Sequence, residues 1–305
     1  MRNRKICIVG YGEHVKNTII PSLNLKKKNI KIVTRKKNCS FISFPDIKSA
    51  TKQLTKDYIF FNSTPPKNHF LTSKLILNSG FNLIVEKPLC THLKQLKQLH
   101  QIARKNRVFV FESMMFFYSK QFTLLKKILK RKGIKEININ FSIPRVRKNT
   151  FRTEKNLESS ILYDIGCYPF SLISYFRFNS NNYKVFYKTK NGRLSFIKTI
   201  FLSKKIKFEV IIAIYKTYQN YVQIIFKNNS QYYLDYFFYG KTIKKNNYFL
   251  SSSKQKHLIK INEKNLFKSI FSFSDTKLKE LSNSQYLIVK RYLNSLGQIR
   301  KKIKL

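Results

Sequence analysis

Short apolar runs alternate with amphipathic stretches over the first third of the chain. Lys5–Val9, Ile30–Thr34, Tyr58–Asn62, Asn82–Val85 and Val108–Phe111 read as buried strands. Val15–Leu25, Asn68–Asn78 and Leu93–Lys105 carry helical periodicity, with Gly80 as a stop after the second. Strands that alternate with helices predict a parallel sheet covered on both faces. In such sheets ligands bind beyond the carboxyl ends of the strands.

The pattern changes near Glu112–Ser119. Gln121–Arg131 is helical in period, Glu136–Ile143 alternates like a half-buried strand, and Ser159–Phe176 reads as a helix with an embedded polar site. Leu194–Phe201, Lys207–Tyr215, Tyr221–Phe226 and Tyr232–Phe238 then succeed one another as strand-like runs, and Lys277–Leu296 closes as a helix. These strands predict an antiparallel meander with one face packed on helices. The expectation is an α/β chain of two domains, 1–115 and 116–305, the second of α+β type.

Charge and cysteine content change this picture little. The 61 Lys and Arg against 14 Asp and Glu give a net charge of +47. A nucleic-acid interface would concentrate such charge in a stripe. Here it is spread along the chain together with an excess of Asn, Ile, Phe and Tyr, so it reads as compositional drift. The field still favours anionic ligands. Cys7, Cys39, Cys90 and Cys167 form no paired framework and read as reduced thiols. The five histidines have no metal-ligand spacing. No leader and no apolar run of membrane-spanning length is evident, which makes the cytoplasm the expected compartment.

Four motifs carry chemistry. Gly10-Tyr11-Gly12 follows the first strand and precedes a helix, where a tight turn lets a pyrophosphate approach the backbone. Gly10, Gly12 and the neighbouring Glu13 are the candidate contacts, and Val15 stands where the full fingerprint has a third glycine. The second strand ends in Thr34-Arg35-Lys36-Lys37 without an acid for a ribose 2′-hydroxyl. That favours a 2′-phosphate held by Thr34 and Arg35, so NADP is expected, with NAD as the alternative. Glu86-Lys87-Pro88 ends the fourth strand and aims Lys87 at the cofactor crevice as a proton donor or electrostatic clamp. Asp164 and Tyr168 lie four apart, on one face of a helix, where an acid and a phenol can hold and protonate a carbonyl oxygen.

In this order the motifs resemble the Gfo/Idh/MocA oxidoreductases, from Lys5 to about Tyr175. The resemblance implies an N-terminal Rossmann domain and a C-terminal α/β domain whose open, mainly antiparallel sheet often makes a homo-oligomer contact. It implies Ser63, Thr64, Pro65 and His69 near the nicotinamide ribose, and Glu86 and Lys87 beside nicotinamide and substrate. Asp164 would bind the substrate, and Tyr168 would stand where many members have a catalytic His. Lys87, Tyr168 and Asp164 are thus the expected catalytic set for hydride transfer at a sugar or sugar-nucleotide carbonyl. Phe111–Phe116, Phe141–Pro144 and Phe151-Arg152 resemble segments of the sugar-nucleotide 3-ketoreductase branch. The chain departs from the family pattern at Val15, at Ser119-Lys120-Gln121 and at Glu158-Ser159-Ser160. Those departures keep open a non-catalytic nucleotide- or sugar-binding member, and the charge keeps open a nucleic-acid binder.

Overall fold

The structure is a computed structural model that describes residues 4–144, 152, 154, 157–178, 180–214, 217–238, 244–263 and 265–304. Phe151 and Tyr215, which the sequence places in a motif and at a strand end, lie outside the described residues. The chain forms two compact units, Met1–Met114 with Phe267–Lys290, and Met115–Leu266 with Arg291–Leu305.

The first unit holds β1 (Lys5–Val9), β2 (Ile30–Val33), β3 (Ser43–Phe44), β4 (Tyr58–Asn62), β5 (Leu83–Val85) and β6 (Val110–Glu112). They form one sheet in the order β3-β2-β1-β4-β5-β6, parallel throughout. Every residue of β4 is buried, as expected of a central strand with both faces covered. Around the sheet lie α1 (Ile20–Leu23), α2 (Ile47–Gln53), α3 (Pro66–Asn78) and α4 (Leu93–Lys105). α4 buries Leu96, Leu99 and Ala103, one stripe at helical spacing. β3 and α2 escape the periodicity reading: β3 has two residues, and the α2 sequence IKSATKQ buries only Ala50.

Phe267–Lys290 packs in the first unit although the pattern-based boundary places it in the second domain. Phe271 meets Phe61 edge-on with centroids 5.3 Å apart, and Ser282 donates to the Val110 carbonyl at 2.6 Å. Gln285 exchanges two hydrogen bonds with the Glu112 backbone, at 2.8 and 2.9 Å. These contacts join positions more than 170 residues apart, which local periodicity does not register.

The second unit begins with α5 (Lys120–Ile128) and β7 (Ile134–Ile143), followed by α6 (Ile161–Asp164) and α7 (Cys167–Tyr175). Then come β8 (Lys184–Lys190), β9 (Arg193–Ser203), β10 (Ile206–Ile214), β11 (Gln219–Phe226), β12 (Gln231–Asp235), β13 (Asn247–Leu250) and β14 (Lys256–Ile259). The chain closes through α8 (Leu266–Ser272) and α9 (Asp275–Lys301). The sheet order is β14-β13-β12-β11-β7-β10-β9-β8, antiparallel except where β7 runs parallel to β10. The simple meander therefore gives way to a sheet with β7 inserted between β10 and β11. Inner-face residues such as Ile137, Ile139, Val210, Ile212, Val222 and Ile224 are buried. α7 is buried on almost all sides, which fits its run of apolar and small residues, CYPFSLIS.

Candidate active-site clusters

Strand register assembles the first cluster. Val9 pairs with Val33 and Asn62, and Asn62 pairs with Val85. The residues that follow, Gly10, Thr34, Ser63 and Glu86, therefore leave the sheet at one carboxyl edge. Signatures spread over about eighty residues of sequence become neighbours through parallel pairing alone.

Gly10 has φ +100°, and a Cβ there would lie 2.9 Å from the Ser63 carbonyl oxygen. Only glycine suits this turn, on both counts. Among the described residues nothing lies within 4 Å of the Gly12 Cβ position, so the backbone there stands open to a ligand. That cradle fits a dinucleotide pyrophosphate. Glu13 is exposed and accepts from Asn17 at 3.0 Å. Val15 is buried, and the helix opens with a π-helical turn over Val15–Ile19 before α1. The wider turn accommodates the side chain that replaces the third glycine. Thr34 donates its N–H to the Phe44 carbonyl at 2.9 Å, and its hydroxyl accepts from Lys36 N–H at 3.1 Å. Arg35 is exposed beside it.

At the end of β4, Asn62 is fully buried and organises the loop. Its Oδ1 accepts from the Thr64 hydroxyl at 2.7 Å, while its Nδ2 donates to the His69 carbonyl at 3.2 Å and Ser73 Oγ at 3.1 Å. Pro65 and Pro66 start α3. His69 is 1% exposed, with Nδ1 2.7 Å from the Pro88 carbonyl and Nε2 2.7 Å from the Thr64 carbonyl. Burial pulls its pKa below the ordinary imidazole value, against the two carbonyls. His69 thus ties the Ser63-Thr64-Pro65 loop to the Glu86-Lys87-Pro88 turn from beneath. Glu86 is buried, donates its N–H to the Asn62 carbonyl at 2.9 Å and lies 3.4 Å from His14 Nε2. Lys87 is half-buried, and the Lys87–Pro88 peptide is cis. Glu112 Oε1 accepts the Leu89 N–H at 2.7 Å, and Gln285 in turn holds the Glu112 backbone. Sequence reading misses Asn62, His14 and Gln285. Only Asn62, a polar residue ending an apolar strand, leaves a local signal.

The second cluster lies within the second unit. Asp164 ends α6 and Tyr168 sits in the first turn of α7, so the two are not on one continuous helix. A Cβ at Gly166 would meet the Leu162 carbonyl oxygen at 2.1 Å. The interruption at Ile165-Gly166 is therefore built on glycine. Asp164 is 2% exposed and takes a two-pronged contact from Arg152, at 2.5 and 3.3 Å. The carboxylate raises the Arg152 pKa, and the Tyr168 phenol adds to that. Tyr168 is buried among Phe141, Phe238 and Phe116, at 5.0, 5.7 and 6.3 Å between centroids, and its hydroxyl faces Met115 sulfur at 3.9 Å. Arg152 thus places a cation close to Tyr168 as well as to Asp164, all within the second unit. At Ser119-Lys120-Gln121, Ser119 caps α5 by accepting from Phe122 N–H at 2.9 Å. Gln121 donates to the Asp235 carbonyl at 2.7 Å and Asn247 at 2.8 Å. That departure serves as internal scaffolding. Among the described residues, no group of three or more His, Cys, Asp or Glu could hold a metal.

Comparison with known proteins gives a family match over residues 4–114, to the oxidoreductase family with an NAD-binding Rossmann fold. Trans-1,2-dihydrobenzene-1,2-diol dehydrogenase of Xenopus tropicalis is 32% identical over 97 residues, 31% of this chain and 29% of that one. The dTDP-3,4-didehydro-2,6-dideoxy-alpha-D-glucose 3-reductase of Actinomadura kijaniata is 30% identical over 96 residues, 30% of this chain and 29% of that one. The matches thus span less than a third of these curated relatives. Among solved structures, KijD10, a 3-ketoreductase from Actinomadura kijaniata in complex with NADP and TDP-benzene, superposes with a TM-score of 0.82 at 14% identity over 97% of both chains. The aldose-aldose oxidoreductase from Caulobacter crescentus gives 0.81 at 12% identity over 100% of both. At such identities the likeness is one of fold, and it extends over both units.

Proposed function

We propose, from the match of residues 4–114 to the oxidoreductase family with an NAD-binding Rossmann fold, that this chain is a Gfo/Idh/MocA-type, NADP-dependent oxidoreductase interconverting a carbonyl and a hydroxyl on a sugar or sugar nucleotide. The observation that carries this reading is the carboxyl edge of the first sheet. There Gly10 closes on Ser63, Gly12 stays open, and Lys87 follows a buried Glu86. The nicotinamide would exchange the hydride, and the chain supplies binding, orientation and charge. Gly10, Gly12 and Glu13 would flank the pyrophosphate, Thr34 and Arg35 the 2′-phosphate, and Ser63, Thr64 and Pro65 the nicotinamide ribose. His69, buried with both ring nitrogens against carbonyls, positions that loop from below.

In reduction, Lys87 would polarise the substrate oxygen and Tyr168 would deliver its proton. Asp164 would act through Arg152, holding a guanidinium that is 38% exposed and suited to a substrate phosphate or hydroxyl. A sugar-nucleotide substrate is supported by that cation and by the dTDP-sugar reductase among the relatives. The outer face of the second sheet is the proposed self-association surface. Cys7, Cys39, Cys90 and Cys167 are free thiols, and no described helix is long and apolar enough to cross a membrane.

Titration of folded protein with NADPH and NADH tests the reading. NADPH should bind more tightly, and Arg35→Ala should remove about tenfold of that preference, the worth of one charge-assisted contact, without weakening NADH. Preference for NADH would retain the enzyme and discard Arg35. Binding of neither cofactor would discard the dehydrogenase reading.

A further inference from the structure

The first unit has a second concavity, away from the carboxyl edge. It lies between the carboxyl end of α4, the chain entering β6 and the first turns of α9, with a volume of about 530 Å³. That falls in the range of small-ligand sites, roughly 300–1,000 Å³. Its apolar wall includes Phe109, His100 and Tyr286, the last two edge-to-face with centroids 4.5 Å apart. Its charged lining is Arg104, Arg107 and Lys279, and among the described residues no Asp or Glu lines it.

The number of cations is no argument by itself, because 61 of 305 residues are Lys or Arg. Their placement is the argument. They come from two segments far apart in sequence and face one concave, aromatic-walled space. Among the described residues none of the three is paired with a carboxylate. Arg107 also has φ +56°, at a turn after a helix where glycine or asparagine is usual. The carboxyl end of α4 presents about half a negative charge to the groove, which three full positive charges outweigh.

We propose that this groove binds a nucleoside phosphate, with the base against His100 and Tyr286 and the phosphates on Arg104, Arg107 and Lys279. Guanidinium forks match phosphate oxygens in pairs, and aromatic rings offer a planar base a face. The ligand would bind on the far edge of the sheet from the cofactor, so both could be held at once.

ADP is a suitable probe, titrated by calorimetry into the full chain with and without saturating NADPH. With NADPH saturating, one ADP per chain should bind, whereas without it the cofactor crevice can take up ADP as well. Arg104→Glu/Arg107→Glu should weaken ADP binding under NADPH by about tenfold or more, the loss of at least one charge-assisted hydrogen bond. Both arginines are exposed, so circular dichroism should be unchanged. Lys130→Glu/Lys132→Glu makes the same charge change on an exposed turn of the second unit and should leave ADP affinity within about twofold, since only the overall field is altered. Equal weakening in the two double variants would reduce the effect to the general field and overturn the site. So would the absence of saturable ADP binding, or its loss when NADPH is added to protein shown to bind NADPH. Inorganic pyrophosphate should bind more weakly than ADP, and equal affinity would overturn the nucleoside assignment. Should NADPH itself fail to bind, the arginine variants still decide the groove independently of the dehydrogenase reading.

Discussion

Lys87 and Gly12 occupy the same sheet edge but answer to different physics. In the proposed site Gly12 acts through what is missing, a Cβ in a space that no other described residue fills within 4 Å. In the proposed mechanism Lys87 acts through its charge, carried on a turn pinned by Glu86, His69 and Glu112. Separating the two roles is straightforward. Lys87→Met keeps most of the stem but loses the ammonium, so NADPH affinity should stay nearly unchanged while turnover falls by about 10²–10⁴-fold, the usual worth of positioned acid–base catalysis. Steady-state kinetics beside a binding titration reads both, and near-normal turnover would remove Lys87 from the mechanism. Asp164 is instructive in another way. As a sequence position it reads as a substrate ligand, yet in the fold it is buried under Arg152. The residue that presents charge is the partner, whose distance of twelve positions gives no helical or strand relation to exploit.

At the scale of elements, two features carry measurable consequences. The break between α6 and α7 depends on Gly166, whose Cβ position lies 2.1 Å from a backbone oxygen that cannot rotate away. Overpacking of this kind costs about 1–3 kcal/mol, and a backbone clash belongs at the upper end. Gly166→Ala should therefore lower the unfolding free energy by roughly 3 kcal/mol in denaturant titration. An unchanged midpoint would mean that the turn re-forms without glycine. On α4, His100 is pushed down to about 4, by burial first and the nearby Arg104 second. An unfolded imidazole titrates near 6.5. The unfolded chain therefore takes up the proton first, so stability is full above about pH 6.5, falls as pH drops towards 4 and levels off below. Urea titrations at several pH values, on wild type and His100→Gln, isolate this contribution because the carboxylates common to both cancel. Wild type should lose ground to the variant between neutral and acid pH. A constant difference would show that His100 is not held neutral.

For the whole molecule, the outer face of the second sheet raises the question of association. Tyr221, Tyr233 and Tyr248 stack across β11, β12 and β13 at 4.9 and 5.1 Å, and Leu258 lies opposite Tyr248 with 69% exposure. Further along, Leu202 is 67% exposed beside the Lys207–Glu136 ion pair. Apolar and aromatic groups on an open sheet face mark an interaction surface. Light scattering should give a multiple of 36.4 kDa, and Tyr233→Glu/Leu258→Glu should return the single-chain mass. A single-chain mass for wild type would remove the proposal. The spread of positive charge bears on the same scale. It gives a general field that attracts anions, whereas particular sites are set by geometry such as the paired arginines of the α4 groove.

Alternation of apolar runs with amphipathic stretches determined the parallel sheet, because a strand buried on both faces and a helix with one apolar stripe leave different periods in the chain. The ligand edge followed too, since Gly10, Ser63 and Glu86 each come directly after a strand, and parallel register must bring strand ends together. Short or weakly patterned elements were out of reach: β3 with two residues, α2 with one buried side chain, and the parallel insertion of β7 beside β10. Only the tertiary structure decided that Phe267–Lys290 completes the first unit, that Arg152 claims Asp164, that a π-turn makes room for Val15, and that cations from α4 and α9 face one groove. Each of these is a contact between residues without a fixed sequence spacing, or a local adjustment of the backbone to a side chain's volume. Periodicity records which face of an element is buried, but not what buries it.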